Sequence, residues 1–94
     1  MASFIPNHRK KLDRLKRVES NLRRLLVRGA SEEKLLEAAA EVRDCRIRVL
    51  RAIQNKNPER TPEERAAFLK IEARIAALKT LTAETVLAGF IRKQ

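Results

Sequence analysis

The stretch PNHRKKLDRLKRVESNLRRLLVRGASEEKLL, residues 6–36, decides the fold. At 100° per residue, Leu12, Leu15, Val18, Leu22, Leu25 and Leu26 fall on one side of a helix. Lys10, Arg17, Arg24 and Arg28 form a nearly straight row on the other. Gly29 supplies the left-handed residue that commonly ends a helix. Ser31 followed by Glu32 and Glu33 starts another, because the hydroxyl caps free amides and the acids face the positive end of the helix dipole. A turn this tight predicts antiparallel neighbours, an αα-hairpin over residues 6–56.

Outward from that stretch, Phe4-Ile5-Pro6 leads into the first helix, which should run from about Pro6 to Arg28, with Asn7 as an alternative cap. The second helix carries Leu35, Ala39, Val42, Val49, Leu50 and Ile53 on one arc and ends in Asn55-Lys56-Asn57-Pro58, where Pro58 pushes Asn57 out of helical geometry. Thr61-Pro62-Glu63-Glu64 is a capping box that opens a third helix, and Phe68, Ile71, Ile75 and Leu78 give it the narrow stripe of a bundle member. Thr80-Leu81-Thr82 admits either a continuous helix or a break before a short fourth one. Threonine caps well and is mediocre inside a helix, which favours the break. Gly89 lies within the apolar patch Val86, Leu87, Phe90 and Ile91, where a close helix contact is expected.

Ninety-four residues predict one domain, residues 1–94, and a chain this short buries only a little over ~60% of its unfolded surface. With 44% hydrophobic residues, 36% charged residues, two glycines and three prolines, the composition predicts an all-α protein. The expected architecture is a small antiparallel bundle of three main helices plus a short C-terminal helix. Cys45 is the only cysteine, so an internal disulfide is excluded and a buried, inert thiol is expected. No apolar run approaches the ~20 residues of a membrane span, and residues 1–11 lack the apolar stretch of a signal peptide, so a cytoplasmic protein is expected.

Three ionisable residues, Glu19, Arg46 and Glu72, fall in or beside apolar arcs, where an unpaired charge is costly. Counting back from the turns predicts two interhelical pairs, Glu19 with Arg43 and Arg46 with Glu72, as register markers.

Catalytic constellations are absent from the sequence. One histidine, His8, and one cysteine far from it argue against a nucleophilic dyad and cannot give tetrahedral metal coordination, and no phosphate-binding glycine loop occurs. The acid pairs Glu32-Glu33 and Glu63-Glu64 sit at helix starts, where capping accounts for them. Leu12-Asp13-Arg14-Leu15 and the terminal Gln94 are similar to the ends of the helical chorismate mutases. Gly29 and Ser31, however, interrupt the first helix where that family's runs on, and its central Lys and Glu find no matching positions. The expectation is a non-enzymatic protein with no cofactor, metal or small-molecule substrate.

Charge supplies the functional signal. The chain carries +10 in all, and residues 1–28 hold nine Lys or Arg against two acids. One reading of this face is a solvated surface and nothing more. The leading functional reading is backbone-directed nucleic-acid binding through Lys10, Arg17, Arg24 and Arg28, a row about 27 Å long at ~1.5 Å per residue, supported by Arg9, Arg14, Lys16 and Arg23. Arginine forks suit phosphate oxygens. Phe4, Phe68 and Phe90 are the only aromatics, which disfavours recognition of single strands by base stacking. Asn21 is the main side chain suited to base edges, so binding should be salt-sensitive and weakly selective. The bundle is also expected to self-associate as a homodimer or other homo-oligomer through the third helix and Val86, Leu87, Phe90 and Ile91, and the alternative function is a protein-interaction module built on that association, with the first helix drawing acidic protein surfaces. Adsorption on anionic lipid is a third option, weakened by the absence of tryptophan.

Overall fold

A computed structural model describes residues 7–56 and 59–92, with side chains from Arg9 onward. Phe4-Ile5-Pro6, the side chains of Asn7 and His8, the Asn57-Pro58 stop and Gln94 lie outside what is described. Four helices and no strand are present among the described residues: α1 (Asn7–Arg28), α2 (Glu32–Lys56), α3 (Pro62–Thr80) and α4 (Ala83–Arg92). The all-α bundle expected from the sequence is the fold observed.

Each helix end has a local cause. At the α1–α2 turn, Gly29 adopts φ 69°, its N–H donates to the Leu26 carbonyl at 3.2 Å and the Ala30 N–H donates to Leu25 at 3.0 Å. This is the Schellman arrangement, which satisfies two carbonyls that the helix end would otherwise orphan. Ser31 then accepts from the Lys34 amide at 3.4 Å. Thr61, extended at φ −119° and ψ 158°, accepts from the Glu64 amide at 3.1 Å and caps α3. The Thr80–Thr82 stretch is a break: Leu81 is extended with its N–H on the Leu78 carbonyl, and the Thr82 hydroxyl accepts from the Thr85 amide at 3.2 Å.

The three extensive helix–helix contacts all involve α2, which packs against α1, α3 and α4. Leu22 of α1, Ala38, Ala39 and Val42 of α2, and Val86, Leu87 and Phe90 of α4 form the core. Beyond this cluster, α2 buries Cys45, Val49, Ala52 and Gln54, while α3 buries Ile75 alone. The result is a slab of 48 × 37 × 19 Å. It exposes 6970 Å², against about 5500 Å² for a compact monomer of this mass.

Four expectations need correction. Glu19 accepts from Arg46 at 3.1 Å, not from Arg43, whose guanidinium donates to the Leu81 carbonyl at 2.7 Å and pins the α3–α4 break to α2. Glu72 does not meet Arg46; it accepts from the amide of Gln54 at 2.7 Å. Val86, Leu87 and Phe90 are not an exposed self-association patch, because α4 folds them into the chain's own core and leaves only Ile91 of the four exposed. Gly89 makes no close helix contact: nothing lies within 4 Å of where a Cβ would stand.

Candidate nucleic-acid interface

The apolar stripe of α1 turns inward: Leu22 is fully buried, and Leu15, Val18, Leu25 and Leu26 pack on the same cluster. Helical geometry therefore presents the opposite face to solvent. Arg9, Lys10, Arg14, Lys16, Arg17, Arg23, Arg24 and Arg28 are all exposed. None of them forms an ion pair with a carboxylate among the described residues. Glu19, one of the two acids on α1, is held by Arg46, and Asp13 is exposed with no ion pair among the described residues. The outward cations are thus not neutralised within the described chain.

The two edges of this face differ. Along one, Asn21 and Leu25 share a shallow cleft with Lys34, Glu37, Ala38 and Glu41 of α2. Two carboxylates there repel phosphates, so Asn21 is poorly placed to read bases. Along the other edge lie Arg9, Lys16 and Arg23 at seven-residue spacing, and the Arg23 guanidinium sits 5.7 Å from the centre of the Phe90 ring. Arg46 approaches the same ring at 5.5 Å, so α4 supplies a π face for two cations. The positive surface therefore extends from the outward row toward α4, away from Glu37 and Glu41.

Helix ends add a further contrast. The first turns of α2, α3 and α4 contain Glu32 and Glu33, Glu63 and Glu64, and Glu84, whereas α1 has no acid in its first turn. Arg9 and Lys10 instead place positive charge near the positive pole of the α1 dipole, a local conflict that an external anion would relieve.

The sequence reading missed Arg74, which lies exposed on α3, and the buried Gln54. Arg74 belongs to no charge run, and Gln54, next to the polar stretch that begins at Asn55, carries no apolar signal of its own. Cys45 is buried, as expected for an inert thiol. Among the described residues no cluster of three His, Cys, Asp or Glu is placed to hold a metal, and no helix is long and apolar enough to cross a membrane. Comparison with protein-family models, with curated proteins and with solved structures finds no match to this chain.

Proposed function

We propose that this small helical bundle is a non-enzymatic binding module whose α1 lies along the phosphate backbone of duplex nucleic acid. The observation that carries the reading is the row Lys10, Arg17, Arg24 and Arg28, exposed and without carboxylate partners among the described residues. Arg9, Lys16 and Arg23 widen the strip on the edge facing α4, and Arg14 lies on its other flank. Unpaired guanidinium groups on a rigid rod displace counterions from phosphates at little conformational cost, and a scarcity of side chains suited to base edges makes the contact indifferent to sequence.

Fluorescence anisotropy with a generic duplex over a salt series tests this. Four phosphate contacts predict that log K falls with log[salt] at a slope of about −3 to −4. Replacing Lys10, Arg17, Arg24 and Arg28 together by Glu abolishes binding while circular dichroism stays unchanged, because all four point away from the core. No binding at low ionic strength, or undiminished binding by the fourfold variant, refutes the assignment.

A further inference from the structure

α4 covers the α1–α2 hairpin only as far as Phe90. Arg46, whose guanidinium lies 5.5 Å from the centre of that ring, also lines a groove of about 510 Å³, shared with Leu15 of α1, Val49 and Leu50 of α2, and Arg74, Ala77 and Leu78 of α3. The lining is five apolar side chains and two arginines. This groove opens beside the seat that α4 occupies, on the next turns of α2. A short apolar helix already fills the neighbouring seat through Val86, Leu87 and Phe90.

The unpaired charge at the groove is cationic, because Arg46 in its lining is already held by Glu19 at 3.1 Å. Arg74 stands exposed on the α3 side with no carboxylate partner among the described residues. On the α1 side, Lys16 lies seven residues from Arg23 and so shares its edge, which the Arg23–Phe90 contact shows to face α4. A second copy of this chain would bring another +10 and, on α3, further cations at Arg65, Lys70, Arg74 and Lys79, so charge argues against self-docking. An open groove lined mainly by apolar side chains suits the apolar face of a helix.

We propose that the groove between α1, α2 and α3 receives an amphipathic helix of a partner protein whose apolar stripe is flanked by carboxylates. The stripe meets Leu15, Leu50, Ala77 and Leu78, and the acids meet Arg74 on one bank and Lys16 on the other. This surface lies apart from the outward row Lys10, Arg17, Arg24 and Arg28 and shares only Lys16 with the proposed nucleic-acid strip, so variants of that row and of the groove test the two assignments separately.

The test uses a fluorescein-labelled synthetic helix of repeated Leu-Glu-Glu-Leu-Leu-Glu-Glu units, its Glu→Lys counterpart, and two variants of the full chain. Ala77→Arg and Arg74→Glu both change exposed positions, and circular dichroism confirms that each is folded. The acidic helix binds and the basic one does not. Arg74→Glu weakens binding by lost attraction. Ala77→Arg weakens it by about tenfold although it adds a positive charge, because the new side chain occupies the groove. The fourfold Glu variant of α1 retains the peptide within a few-fold while losing duplex binding. Absence of binding, equal binding of the basic helix, or unchanged or tighter binding by Ala77→Arg overturns the proposal, the last by showing mere charge attraction. So does a concentration-dependent dimer that Ala77→Arg dissociates.

Discussion

Gln54 shows how much one neutral side chain contributes when it is buried. It is 4% exposed, and its amide hydrogen is committed to the Glu72 carboxylate across the α2–α3 interface. Removing the donor leaves a half-buried carboxylate short of a partner, whereas removing only the charge of the acceptor keeps the hydrogen bond. Gln54→Leu should therefore destabilise the fold by about 2 kcal/mol in urea unfolding, and Glu72→Gln by much less. The sequence revealed that Glu19, Arg46 and Glu72 needed partners but named the wrong ones. Counting from a turn gives the height of a residue along a helix, not its bearing around it. Arg43 faces the α3–α4 break and Arg46, one turn further, faces α1, a distinction created by packing that no spacing encodes.

At the scale of elements, boundaries were legible because they rest on local chemistry. The Gly29 turn, the Thr61 cap and the Thr82 restart are each written in adjacent residues, and each is found where its residues stand. What α4 packs against was not legible, since Val86, Leu87, Phe90 and Ile91 make the same apolar patch whether it closes on its own chain or on another. Burial decides for the first three: α4 closes on its own chain. Truncating Phe90 to Ala should cost about 3 kcal/mol as a core deletion, and the drop in melting midpoint should be independent of protein concentration, as it is for an intramolecular contact. A midpoint loss that deepens on dilution would mark an intersubunit role. The basic face of α1 was fully legible, because one amphipathic helix suffices to place it; the α3 bank of the groove was not, because it exists only once three helices are assembled.

For the whole molecule, the arrangement is a hub with three spokes. α1 and α4 share the core cluster with α2, while α3 is held by buried Ile75, the Gln54–Glu72 bond and the Arg43 tether at its C-terminal end. Unequal attachment predicts unequal local stability. In native-state hydrogen exchange, amides of α3 should exchange ahead of those in α1 and α2; uniform protection across all four helices would contradict the hub arrangement. The consequence reaches beyond stability. Because α1 and α3 do not lean on each other extensively, the distance between them is set by how each sits on α2. In the complex proposed for the groove, α3 is therefore the yielding jaw of a clasp, and its adjustment leaves undisturbed the strip that α1 shows to water.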